Sequence, residues 1–213
     1  MINLLVADDH VLIREGLKRI ISTASDIAVV EEAADGNEAL QKILDTNCDI
    51  ALLDISMPGL SGIEILQQLK KTEKYQSPRI IILSVYPEDQ YAERALREGA
   101  FGYLLKKSKP DELLSAIRTV YRGEKYISRT FAQNLALALE IGVSKLPHET
   151  LSHREYQVMC MIGMGKTVRE IAEELSIGVK TVGTYHTRIL EKMGMKTNVD
   201  LARYVMEHKL HCE

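Results

Sequence analysis

The chain has 213 residues, 46% of them hydrophobic and 27% charged, with a formal net charge of −3 at pH 7. That is enough apolar material to bury a core, too much for a disordered chain, and a length that favours two domains. No apolar run approaches the ~18 residues of a membrane span, and the N-terminus lacks the basic, apolar and small-residue layout of a signal peptide. Cys48, Cys160 and Cys212 are scattered without metal-ligand spacing. A cytoplasmic protein with reduced thiols and no membrane partner is expected.

Apolar runs at 3–7 (NLLVA), 28–33 (AVVEEA), 50–54 (IALLD), 79–84 (RIIILS) and 102–106 (GYLLK) alternate with helical patterns such as 11–22 and 38–44. Apolar strands separated by helices predict a parallel five-stranded sheet covered on both faces, a doubly wound α/β unit over residues 1–122. Residues 123–147 combine a Ser/Thr start and one helical stretch with the breakers Gly142 and Pro147, which reads as a linker with one helix. From Leu151 onward the pattern is helical only, punctuated by Gly163, Gly165, Gly178 and Gly194, so residues 148–213 are expected to form a small helical bundle. The acidic excess lies in the first 122 residues, and the last part is balanced.

In an open α/β sheet, ligands bind beyond the carboxyl ends of the strands. The first run ends in Asp8 and Asp9, the third in Asp54, the fourth in Ser84 and the fifth in Lys106. Singly, each is an ordinary turn former or solvated charge. Together, three carboxylates make a hard oxygen site suited to Mg²⁺, which also relieves the repulsion between adjacent acids. A carboxylate beside such a cation can attack phosphorus while an ammonium such as Lys106 neutralises phosphoryl oxygens. Asp54, followed by ISMPGLSG with Pro58, Gly59 and Gly62, is the candidate nucleophile, and the Ser84 hydroxyl is placed to bond another oxygen.

Residues 1–122 resemble a response-regulator receiver domain of flavodoxin-like (βα)5 fold. The resemblance rests on Asp8 and Asp9, on Asp54 within LLDISMPGLSG, on Ser84, and on Tyr103 with Lys106 in YLLK. It implies Asp54 as phosphoacceptor, Lys106 and Ser84 as its partners, and Tyr103 as a switch that turns inward on phosphorylation. It also implies Mg²⁺ at Asp8, Asp9 and Asp54. Lys107 stands where many receivers have proline. A phosphohydrolase of the haloacid dehalogenase type would carry a second aspartate two residues after the nucleophile, and Ser56 occupies that place. No enzymatic role beyond autophosphorylation and autodephosphorylation at Asp54 is expected.

The stretch TVREIAEELSIGVKTVGTYHTRILEKMG (167–194) has helix-turn-helix spacing. At 3.6 residues per turn, Val182, Ile189 and Met193 share one side of the second helix, and Lys180, Thr184, Thr187 and Arg188 share the other. An amphipathic surface helix would show the same pattern. The surrounding residues resemble the four-helix DNA-binding domain of the LuxR type, on Leu151, Arg154, Glu155, Gly165, the EIA at 170–172, Leu175, the KTV at 180–182 and Ile189. Joined to a receiver, this resembles the NarL/FixJ regulators. The resemblance implies a two-component transcription factor that a sensor histidine kinase phosphorylates, and that dimerises and binds promoter DNA at two half-sites. Candidate DNA-contacting residues are Thr167, Lys180, Thr181, Gly183, Thr184, Thr187, Arg188 and Lys192. Gly178 departs from the usual N-cap residue and Gly183 from the usual polar side chain, and a bare backbone at 183 would let the helix sit closer to the groove. A regulator working without phosphorylation is the competing reading.

Overall fold

The five apolar runs pair as strands β1 (Ile2–Ala7), β2 (Ile27–Ala33), β3 (Ile50–Asp54), β4 (Arg79–Ser84) and β5 (Gly102–Leu105). This is a computed structural model that describes residues 1–72, 78–141, 146–208 and 210, so the linker breaker Gly142 and the thiol of Cys212 lie outside the described residues. All pairings are parallel, in the order β2-β1-β3-β4-β5. The chain reverses its winding between β1 and β3, so a crevice opens where those two strands end. β3 is buried along its whole length, whereas β2 at the edge carries the half-buried Glu31 and Glu32.

Helices α1 (Val11–Ile21), α2 (Gly36–Asp45), α3 (Gly62–Lys71), α4 (Glu88–Arg97) and α5 (Pro110–Tyr121) supply the crossovers. On one face, Leu17 and Ile21 of α1 and Leu113, Ala116, Ile117 and Val120 of α5 join Leu4, Val6, Leu52, Ile81 and Leu104 of the sheet in a core cluster. The start of α3 is specified locally and by close approach. Ser61 and Glu64 form a capping box, and a Cβ on Gly62 would stand 2.6 Å from the Asp54 carbonyl oxygen. Only glycine lets α3 begin this close to the end of β3. Gly36 likewise lies against the following loop: its N–H donates to the Pro58 carbonyl at 3.0 Å, and a Cβ there would fall 1.7 Å from the Leu60 oxygen.

The chain divides into two compact units, Met1–Gly142 and Val143–Glu213. The helix in the linker stretch, α6 (Arg129–Ile141), falls in the first unit and packs on α4. Phe131 is buried, and the Ser128 hydroxyl at its start bonds Glu88.

The second unit begins with a 3-10 turn (Pro147–Thr150), followed by α7 (His153–Gly163), α8 (Val168–Glu174), α9 (Val179–Met193) and α10 (Asn198–Glu207). Three of these four helices start with capping boxes, Ser152/Glu155, Thr167/Glu170 and Thr197/Asp200, while α9 starts at Gly178 with no side-chain cap. α7 is the central element, packed on α9 and α10. A Cβ on Gly163 would meet the Val205 side chain at 2.8 Å, which explains the small residue where α7 and α10 meet. Between α8 and α9, Ile177 N–H reaches the Ala172 carbonyl and Ser176 N–H that of Glu173, a Schellman ending whose left-handed position is Ser176 at φ 52°.

Candidate functional site

The strand ends bring together the acids predicted from sequence. Asp8 and Asp9 follow β1, Asp54 closes β3, and Lys106 follows β5, held there by its N–H on the Ser84 carbonyl at 2.8 Å. Asp8 is fully buried and Asp54 is 2% exposed. Lys106 Nζ lies 2.7 Å from Asp8 Oδ2 and 2.8 Å from Asp54 Oδ2, so one ammonium bridges two carboxylates that would otherwise repel. Burial pushes the Asp54 carboxyl up to about 6, against the opposing pull of Lys106. Burial would lower the Lys106 ammonium, but Asp54 and Asp8 outweigh it and hold Lys106 above its ordinary value.

The acidic pocket includes a group the strand-end reading missed. Asp8, Asp9, His10 and Asp54 each offer a donor atom, all within 4.8 Å of one another. His10 is the N-cap of α1, with its own N–H on Asp8 Oδ1 at 2.9 Å. The signal was adjacency in sequence, since His10 follows the acid pair directly. Arg14 adds a donor from α1, Nη1 to the Asp8 carbonyl at 2.7 Å. Asp9 Oδ1 is a buried oxygen facing this pocket, with His10 Nδ1 2.8 Å away. An oxygen-rich pocket with such an atom fits a hard divalent cation.

The two switch candidates lie next to this pocket. The Ser84 hydroxyl accepts from the Tyr86 N–H at 2.9 Å. Tyr103 is 1% exposed, and its hydroxyl donates to the Tyr86 carbonyl at 2.9 Å. The inward orientation expected to follow phosphorylation is therefore already present here, and desolvation pushes the phenol well above its usual range.

In the second unit, α9 buries Val182, Ile189 and Met193 on the face predicted from periodicity. Lys180, Thr181, Thr184, Thr187 and Arg188 are exposed, and Gly183 is half-buried. The Thr184 and Thr187 hydroxyls donate to the carbonyls four residues back, Lys180 and Gly183, at 3.0 and 3.2 Å. Two other candidates are engaged within the unit. The Thr167 hydroxyl belongs to the α8 capping box. Lys192 Nζ lies 2.6 Å from Oε2 of Glu155, a carboxylate only 3% exposed. Burial alone would raise the Glu155 carboxyl, but Lys192 and the Ser152 N–H hold it below the usual carboxylate range. Lys192 thus anchors α9 to the start of α7, a pairing that helical periodicity does not reveal.

Residues 4–118 match the response regulator receiver domain, and residues 149–205 match the bacterial regulatory proteins of the luxR family. Curated relatives span nearly the whole chain. The response regulator UvrY of Escherichia coli (strain K12) is 38% identical over 211 residues, covering 99% of this chain and 96% of the relative. The transcriptional regulatory protein LiaR of Bacillus subtilis (strain 168) is 37% identical over 212 residues, covering 99% of each. Among solved structures, the response regulator ChrA of a heme-sensing two-component system is 28% identical, with a TM-score of 0.53 over 99% of this chain and 98% of that one. RcsB from Salmonella enterica serovar Typhimurium, bound to promoter rprA in the presence of phosphomimetic BeF3⁻, shares the fold, with a TM-score of 0.65 at 22% identity over 96% of this chain and 98% of that one. The flavodoxin-like unit that gathers Asp8, Asp54 and Lys106, and the helix-turn-helix unit that follows it in the chain, thus have full-length counterparts, and the chain belongs to the NarL/FixJ family of two-component response regulators, transcription regulators that join a receiver to a LuxR-type DNA-binding domain.

Proposed function

We propose that Asp54 is the phosphoacceptor, and that phosphorylation by a sensor histidine kinase promotes dimerisation and promoter binding. The observation that carries this reading is the convergence of Asp8, Asp54 and Lys106 from three strand ends into one buried cluster. An Asp54 oxygen attacks the donor's phosphorus, the bond from phosphorus to the donor breaks, and the donor keeps the electron pair. Lys106 is placed to leave its ion pair with Asp54 and take a phosphoryl oxygen, with the Ser84 hydroxyl receiving another. Asp8, Asp9 and Asp54 would hold Mg²⁺, which offsets the charge gathering at phosphorus when bound. Water attack on the acyl phosphate reverses the modification.

Residues 1–122 act as the receiver, 123–147 as the connection and 148–213 as the DNA-binding domain. On α9, Thr184, Thr187 and Arg188 reach base edges in the major groove, Lys180 and Thr181 meet phosphates, and Gly183 allows close approach. Thr167 presents the start of α8 to the backbone, and Lys192 supports α9 through Glu155. Val199 and Met206, 66% and 76% exposed on α10, are seven residues apart and share a face, which suits pairing of two copies over two half-sites one helical turn apart. The RcsB complex with promoter rprA supports the DNA reading by analogy.

Incubation with acetyl phosphate and Mg²⁺ is expected to add one phosphoryl group by intact mass, and sedimentation to show a dimer only after modification. Equal labelling of Asp54→Ala, or labelling that chelation leaves unchanged, would overturn the phosphoacceptor assignment. A monomer unchanged by phosphorylation would overturn the coupling to dimerisation.

A further inference from the structure

We infer that Thr184 and Thr187 read DNA through their γ-methyl groups rather than their hydroxyls, so that this protein selects sites with thymines about one or two base steps apart beneath α9. The inference deepens the DNA reading above and rests on it.

The hydroxyls are already committed. Thr184 Oγ1 donates to the Lys180 carbonyl at 3.0 Å and Thr187 Oγ1 to the Gly183 carbonyl at 3.2 Å, each one turn back along the helix. A hydroxyl has a single proton to give, so neither threonine keeps a donor for a base edge. The same bond orients the side chain. Threonine branches at Cβ, and holding Oγ1 against the preceding turn leaves the other branch, the Cγ2 methyl, to point away from that carbonyl. Both residues are exposed, while Val182, Ile189 and Met193 pack on the opposite side of α9, so these methyls lie on the outward face.

The spacing sets what the pair can meet. Residues three apart on a helix are surface neighbours, with Cβ atoms about 5 to 6 Å apart. Successive base pairs rise by about 3.4 Å, so two methyls at that separation span about one or two base steps. In the major groove thymine alone offers an apolar group, its C5 methyl, and the other base edges present hydrogen-bonding atoms.

The energetics favour the methyl. A hydroxyl that bonded a base would first give up an intrahelical bond of similar strength, and the exchange returns little. A methyl laid against a methyl takes two apolar surfaces out of water and breaks nothing. Lys180 and Arg188, exposed on the same side of α9, supply the donors that the threonines withhold. The competing account has the hydroxyls swing out on binding and donate to the N7 or O6 acceptors of purines.

The test uses the full-length chain after incubation with acetyl phosphate and Mg²⁺, with a duplex library randomised over about two helical turns as the probe. Selection gives the site of the wild type, which is then synthesised with each thymine in turn replaced by deoxyuridine, a base that lacks only the C5 methyl. Two thymines per half-site are expected to matter, each replacement weakening binding about fourfold at one fixed salt concentration, the worth of one methyl returned to water. Thr184→Val and Thr187→Val keep the methyl and should bind as the wild type does. Thr184→Ser and Thr187→Ser keep the hydroxyl, and each should lose about fourfold on the thymine duplex and become indifferent to deoxyuridine at one position. Equal wild-type affinity for the thymine and deoxyuridine duplexes overturns the inference. So do valine variants that lose affinity while the serine variants keep it, the pattern that hydroxyl readout requires. Failure of the underlying reading looks different: a library that yields no enriched site, or a Thr184→Ala and Thr187→Ala double variant that selects the same site with unchanged affinity, would mean that this face of α9 does not read bases at all.

Discussion

In the first unit the groups that matter chemically are hidden: Asp8 and Asp54 are buried, and Lys106 between them is 10% exposed. In the second unit Lys180, Thr184, Thr187 and Arg188 stand in solvent, while the opposite face of α9 does the packing. On the function proposed above, the difference follows from the ligand. A phosphoryl group on a carboxylate is stabilised by charges kept out of water, where Coulomb terms are strong, and those charges must hold one another in its absence. A DNA duplex is a surface, and groups that meet it must stay hydrated until contact. Function and stability are therefore coupled in the first unit and largely separable in the second.

The sharpest way to break this contrast is Lys106→Met. It leaves two buried carboxylates face to face, and a loss of about 3 kcal/mol is expected in chelator-treated protein at pH 7. Because Asp54 already titrates near 6 with the lysine present, the variant's carboxyl moves higher still. The deficit should shrink toward pH 5, where that carboxyl is protonated in the folded variant, and added Mg²⁺ should restore part of the stability. Thermal melts at both pH values with and without Mg²⁺ would decide; a variant as stable as wild type at pH 7 would mean that the pocket's charges are not coupled.

The exception inside the second unit is Lys192→Met, which strands the buried Glu155 carboxylate. A cost of about 2 kcal/mol is expected. Since Glu155 is held below its ordinary 4.5, the pair's contribution is present above that value and lost as pH falls through the folded-state value. Urea titrations at pH 7 and pH 4 should show the variant's deficit narrowing in acid. Glu155→Gln combined with Lys192→Met should recover most of the loss if the stranded charge is its cause.

Ser176→Gly sharpens the comparison from the opposite direction. Serine at φ 52° bears a strain that glycine does not, so the substitution should stabilise the second unit by about 0.5 to 1 kcal/mol. An unchanged melting temperature would show that the turn's hydrogen bonds already absorb the strain.

A stability effect of the same small size is expected at Gly183, where an added Cβ would meet nothing within 4 Å. Gly183→Ala should stabilise α9 by about 0.5 to 1 kcal/mol, the usual difference in helix propensity. If the bare backbone serves close approach to DNA, affinity falls while stability rises, measured at one fixed salt concentration. Equal or tighter binding would make the glycine incidental.

What the sequence determined by itself is the local layer. Apolar runs bounded by turn residues placed all five strands within a residue or so, because burial on both faces of a parallel sheet writes itself as contiguous apolar sequence. The periodicity of α9 sorted Val182, Ile189 and Met193 from the exposed face, and capping signals such as Ser152 with Glu155 lie three residues apart. The strand-end rule then brought Asp8, Asp9, Asp54 and Lys106 into one site. Only the tertiary structure decided which of those charges touch and which remain free. Lys106 bridging Asp8 and Asp54 depends on the strand order that puts β1, β3 and β4 side by side, with β5 beyond. Lys192 reaching Glu155 spans 37 residues and depends on how α9 crosses α7. Tyr103 facing inward depends on the Tyr86 carbonyl, 17 residues back in the chain, which accepts its hydroxyl. Such contacts are set by packing between elements distant in the chain, and a period of two or 3.6 residues carries no record of them.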